Sequence, residues 1–176
     1  MKILIIEQPL NNRGDESAHR GLVNKLIQEY PDANIKVLFY GRKDKDVEIF
    51  RVESSRVEYV NIHLGKTWQK YNVRIIKILM MLRLPRLVYL IPKMRRVING
   101  YKRTDFVLCA PGGMNLGGFR DWIHQAFLLL AKYEHKKVIY WGRSIGPFSE
   151  VTYLDKLFKR RSINLLNYFS FTSLRD

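Results

Sequence analysis

Short, almost uninterrupted apolar runs recur along the chain: Lys2–Glu7, Ile35–Tyr40, a weaker Val57–Ile62, Asp105–Ala110, Lys137–Trp141 and Tyr168–Thr172. Runs this short, without strict polar alternation, fit strands buried on both faces, as in a parallel sheet. Longer segments with helical spacing separate them. In Ser17–Tyr30 the apolar positions are Ala18, Leu22, Leu26 and Ile27, with Asp15 placed to cap the helix and Pro31 to stop it. Gly41–Asp46 reads as a solvated loop. Tyr71–Ile98 is mostly helical in pattern, interrupted at Pro85 and Pro92, with Ile75, Ile78, Leu79 and Leu82 on one face. Phe119–Glu134 and Glu150–Leu166 are further helices, the second with Lys156, Lys159, Arg160 and Arg161 on a basic face. Strands alternating with helices predict an α/β fold: a doubly wound, mostly parallel sheet with right-handed crossovers, in one domain over 1–176. The last run is a strand without a helix to cover it, so a further part of the protein is expected to follow.

Composition narrows the class. A 176-residue chain that is 47% hydrophobic can bury a full core rather than stay disordered. The single cysteine, Cys109, excludes an internal disulfide and lies in a strand run, so it reads as a buried residue rather than a nucleophile. No leader pattern or membrane-spanning run is visible; the longest apolar stretch, Ile75–Ile91, carries Lys77, Arg83, Pro85 and Arg86. A cytoplasmic location is expected.

The net charge of +15 changes the picture because it is unevenly placed. Val60–Thr104 holds no acidic residue and 11 basic ones. Such a field attracts polyanions, anionic headgroups or an acidic partner. It can be a basic amphipathic helix lying on a membrane, or a sheet-covering helix with its charges in solvent. Trp68, Tyr71 and Tyr101 would suit a membrane interface or an aromatic sugar platform, and no RNA-binding signature accompanies them.

Candidate chemistry sits where strands end. Asn11–Glu16, Pro111–Gly118 and Gly142–Pro147 are polar, glycine-bearing loops, each following a strand. Ligands of parallel α/β sheets bind beyond the carboxyl ends of the strands, where glycine admits backbone N–H groups and the next helix favours an anion. In the first loop, Gly14 permits a tight turn, Asp15 caps and Asn12 holds the loop or a ligand; an ordinary βα turn explains them too. In the second, Gly112-Gly113 and Gly117-Gly118 bracket Asn115, a spacing that matches neither GxGxxG nor a Walker loop. In the third, Arg143 suits a carboxylate or phosphate, or is a surface cation; Ser144 lacks an adjacent base. His19 and His124 stand near two of these loops, as helix-face residues or as acid–base candidates. The histidines lack metal-ligand spacing, so no metal is expected.

Taken in order, Asn12-Arg13-Gly14-Asp15-Glu16, the Asp105-Phe106-Val107 strand with Gly112-Gly113, the segment Gly142-Arg143-Ser144-Ile145-Gly146-Pro147 and the closing Leu174-Arg175-Asp176 resemble the polysaccharide pyruvyl transferase family. Met114 stands where that family usually has a third glycine, and the family's C-terminal half, with an Arg-x-His-type motif, is absent from this chain. The resemblance implies a Rossmann-like domain facing a second one across a cleft, as in GT-B glycosyltransferases. It implies pyruvyl transfer from phosphoenolpyruvate to two hydroxyls of a sugar, forming a ketal in a surface polysaccharide or its lipid-linked precursor. Phosphoenolpyruvate is then the donor substrate and no cofactor is needed. Asn12, Gly14, Asp15, Gly112, Gly113, Asn115, Arg143, Ser144, Gly146 and Arg175 are the expected binding residues, with Arg175 on phosphoenolpyruvate. The general acid is expected in the other half, so the 176-residue chain alone is expected to be inactive. The stretch 66–103 leaves peripheral contact with an anionic membrane open, and no nucleic-acid partner is expected. Two other classes remain at this point: half of a GT-B glycosyltransferase using a nucleotide sugar, and a truncated, non-catalytic anion-binding domain.

Overall fold

The computed structural model describes residues 1–9, 12–40, 43–62, 66–92, 94–112, 116–117 and 121–174, without the side chains of 66–70, 73 and 96. Gly113, Asn115 and Arg175 lie outside the described residues, as does the side chain of Trp68.

The elements run β1 (Lys2–Ile6), α1 (Arg13–Glu29), β2 (Asn34–Tyr40), α2 (Asp44–Phe50), β3 (Val57–Ile62), α3 (Lys66–Met81), a 3₁₀ helix (Pro85–Leu90), α4 (Met94–Lys102), β4 (Phe106–Cys109), α5 (Trp122–Tyr133), β5 (Lys137–Arg143), α6 (Tyr153–Leu166) and β6 (Phe171–Leu174). The strands form one six-stranded sheet in the order β3-β2-β1-β4-β5-β6. Every pairing is parallel. The order reverses between β1 and β4, which opens a crevice beyond their carboxyl ends.

Helices cover both faces. Alternate residues of β1 feed opposite cores: Leu4 and Ile6 pack with α3, α4, α5 and α6, whereas Ile3 and Ile5 pack with Val23 and Leu26 of α1 and Val47 of α2. That explains why the strand reads as a continuous apolar run. Among the described residues, the second face is covered over β1, β2, β3 and β4, whose Leu108 is buried in the same core. Trp141 of β5 and Phe171 of β6, ring centroids 6.0 Å apart, stay half exposed on its other side.

Several expectations shift for physical reasons. Asn12, not Asp15, caps α1: its side chain accepts from Asp15 N–H at 2.9 Å. The helix therefore starts at Arg13, and Gly14 lies in its first turn rather than in a loop. The expected loop at Gly41–Asp46 gives way at Asp44 to α2, which buries Val47 and Phe50 and places Asp44 and Asp46 in its first turn, where the helix dipole favours acids. In α3 the core face is Ile76 and Met80, while Ile75, Ile78 and Leu82 are exposed. An apolar run this dense does not choose its own buried face. Tyr101 is fully buried and donates to the Phe127 carbonyl at 3.0 Å, so it offers no platform to a sugar or a membrane. The last strand starts at Phe171 because Tyr168 and Phe169 still hydrogen-bond the end of α6.

Candidate functional site: the crevice beyond β1, β4 and β5

Strand β5 runs two residues further than expected, through Arg143, so this arginine belongs to the sheet rather than to a loop. It is fully buried. Its Nε donates to the Ala110 carbonyl and its Nη2 to the Glu7 carbonyl. One guanidinium thus ties together the exits of β1, β4 and β5. A planar fork with several donors is suited to this, where a lysine is not. Arg143 is thus a buried residue that holds these exits together, not a surface cation.

Glycines bring the loops to contact distance. Gly112 bridges Arg143 in parallel fashion, has φ +153° and lies against the Pro9 ring, which a β-carbon would strike. Gly117 lies against the backbone of Gly146, so a β-carbon there would meet main chain. Glycine at these positions is a requirement of close approach. The second and third loops therefore form one wall, with Pro9, which follows β1, against it.

The histidines separate clearly. His19 is fully buried, with Nδ1 3.0 Å from Gln8 Oε1 and Nε2 3.1 Å from Tyr59 Oη. Gln8 Nε2 donates to the Pro9 carbonyl, which leaves Oε1 to accept from Nδ1–H; Nε2 of the neutral ring then accepts from the Tyr59 hydroxyl, whose oxygen also accepts from Val52 N–H. Burial, then Arg20, lowers the His19 pKa to about 4. It is a neutral core histidine that pins the β1 exit, and not a proton donor near neutral pH. His124 is also fully buried, but its Nδ1 lies 3.4 Å from Glu7 Oε2 and its Nε2 has no hydrogen-bond partner among the described residues.

Two acids that sequence reasoning missed complete the inner wall. Glu7 has φ 58°, a left-handed conformation uncommon for a residue with a side chain. Asp121 caps α5, accepting from Ile123 N–H at 3.1 Å and His124 N–H at 2.9 Å. Burial, then the Glu7 carboxylate, raises the Asp121 pKa. The same two causes push Tyr40 up to about 12, and its hydroxyl has no hydrogen-bond partner among the described residues. Glu7, Tyr40 and Asp121 line a cavity of about 110 Å³ beyond the ends of β1 and β2, against the start of α5. A larger hollow of about 620 Å³ lies at the opposite, amino ends of the strands, along Lys2, Asn34 and Arg56. The general rule for parallel sheets favours the smaller one.

Of the remaining expected site residues, Asn12 and Asp15 form the α1 cap, Gly146 meets Gly117, and Ser144 follows β5 half-buried. The described inner wall is acidic, with a phenol and an imidazole. Anion donors would have to come from backbone N–H groups or from residues beyond the described ones. A lone Glu after a strand and an Asp before a helix carry no signal in sequence beyond an end and a cap, which is why both were missed.

An open parallel sheet in the order 3-2-1-4-5-6, with glycine contacts gathered beyond the strand exits, defines a Rossmann-like α/β domain with its ligand crevice at the switch point. The polysaccharide pyruvyl transferase family matches residues 12–176, and the chain belongs to that family. No curated protein matches it.

Proposed function

We propose that this domain contributes one wall of a site that transfers a pyruvyl group from phosphoenolpyruvate to two hydroxyls of a sugar. The observation that carries this reading is the convergence of the β1, β4 and β5 exits on one crevice, locked by Arg143, in a chain of this family. In the reaction, C3 of the enol gains a proton and C2 becomes electrophilic. One hydroxyl oxygen bonds to C2, the C2–O bond to phosphate breaks, and the second hydroxyl closes the ketal. Of the two hydroxyl protons, one balances the new methyl group and the other leaves on phosphate.

The acidic wall suits the acceptor. Carboxylates accept hydrogen bonds from sugar hydroxyls, and an imidazole beside a carboxylate can hold the proton that moves. In this assignment Glu7 and Asp121 receive acceptor hydroxyls and His124 relays a proton, with Glu7 orienting its ring. Backbone donors of the glycine loops are assigned the donor's carboxylate and phosphate, and Arg175 is given the same role on the family resemblance alone.

Calorimetric titration tests the donor. Phosphoenolpyruvate is expected to bind the chain and a uridine-diphosphate sugar is not. Binding of the nucleotide sugar alone would move the domain to the glycosyltransferases. Glu7→Gln is expected to leave phosphoenolpyruvate affinity within about threefold while weakening acceptor binding about tenfold, the scale of one charge-assisted hydrogen bond.

A further inference from the structure

A second cluster of chemistry lies at the far end of α5, about 15 Å along the helix from the crevice. There a cleft of about 510 Å³ opens between the end of α3, the 3₁₀ helix, α5 and α6. Its lining combines apolar Met80, Leu129 and Leu165 with cationic Arg83, Lys132, Arg160 and Arg161, and among the described residues it includes no carboxylate. Acids on and beside these elements are engaged elsewhere. Asp155 sits in the α6 capping box with Thr152, Glu134 accepts from Tyr89 Oη, and Glu150 pairs with Lys159.

Arg161 is the central group. Its Nη2 reaches the Met81 carbonyl at 3.4 Å, while its Nη1 is buried and has no hydrogen-bond partner among the described residues. Burial, then Arg83, lowers its pKa, with a smaller effect in the same direction from Arg160. Tyr133 also lines the cleft, with the Arg86 guanidinium 5.6 Å from its ring centroid. Like charges gathered around an unsatisfied donor, with no counter-charge among the described residues, are unfavourable until an anion joins them. A phosphate supplies the charge and several acceptors at once, and a planar guanidinium matches it in paired fashion.

We infer that this cleft is a phosphate-binding site, separate from the donor crevice, with Arg161 and Arg83 as its principal ligands. The group it takes is a phosphomonoester or diphosphate, and the apolar floor admits one joined to an apolar body. Leu82, beside Arg83 in the chain, and Leu87 of the 3₁₀ helix are both exposed. The phosphate can therefore arrive free in solution or on a lipid.

The test uses the full chain and two probes: pyrophosphate, and phosphatidylcholine vesicles with or without phosphatidic acid. Arg161→Gln is expected to weaken pyrophosphate binding about tenfold, and adding Arg83→Gln to weaken it further. Arg161→Lys keeps the charge without the planar fork and is expected to lose affinity to an intermediate degree. Lys45→Gln, on α2 across the sheet, is expected to stay within about twofold, because screening limits its reach. Circular dichroism checks that each variant is folded. Vesicle binding that requires phosphatidic acid and Arg161 assigns the phosphate to a lipid; pyrophosphate binding without it assigns a free phosphate. Equal weakening by Arg161→Gln and Lys45→Gln, or no binding of either probe, overturns the site.

Discussion

Single residues carry most of the difference between the sequence and the molecule. His19 and His124 look alike in the sequence, each on a helix that follows a glycine loop. Only their partners separate them: Gln8, just after β1, and Tyr59 of β3 for His19, and Glu7, just after β1, for His124. Arg143 is legible in the sequence as an important cation, but its task, holding backbone carbonyls of Glu7 and Ala110, depends on a strand running longer than its apolar pattern. Cys109 is inert, as its place in a strand run implies: it is fully buried, and burial pushes its thiol up to about 12. His19 gives a pH prediction. Its folded pKa is about 4 against an ordinary 6.5, so the unfolded chain binds the proton more readily. Its contribution is fully present above pH 6.5 and is lost as pH falls from 6.5 toward 4. The loss is at most about 3 kcal/mol. Urea unfolding at stepped pH should show this slope in the wild type and a flatter one in His19→Gln. Equal slopes would mean that His19 is not held neutral.

At the scale of elements, legibility follows how local the cause is. Continuous apolar strands, the breaks at Pro85 and Pro92 and the alternation of strand and helix are local, and all are found. The buried face of α3, the helix α2 and the start of β6 depend on packing, and there the sequence pattern misleads. The glycines show the same split. A β-carbon on Gly21 of α1 would meet nothing within 4 Å, whereas Gly117 presses on the Gly146 backbone. Gly21→Ala is expected to stabilise the protein by roughly 1 kcal/mol through helix propensity. Gly117→Ala is expected to destabilise it by about 2 kcal/mol, because main chain must move. Chemical denaturation of the two variants checks the pair; similar effects of one sign would contradict the close contact of the second and third loops.

For the whole molecule, the sheet order places the crevice, and the helices leave two unlike surfaces. One is the acidic inner wall of Glu7 and Asp121 at the strand exits, and the other is the cationic cleft of Arg83, Arg160 and Arg161 at the far end of α5. Among the described residues, the lining of the small cavity at the strand exits carries acids and no Lys or Arg, while cations gather in the cleft at the far end of α5. No helix among the described residues is long and apolar enough to cross a membrane. The family motifs are each weak and become specific only through their order, and the fold explains why. Their strands end side by side, and Arg143 and the glycines join them. On the proposed function, this junction binds the pyruvyl donor. The most direct measurement is an amide-resolved NMR titration with phosphoenolpyruvate. Saturable shifts are predicted at Gly112, Gly117, Gly146 and His124. Shifts confined to other parts of the domain, or the same residues responding to a nucleotide sugar and not to phosphoenolpyruvate, would contradict it.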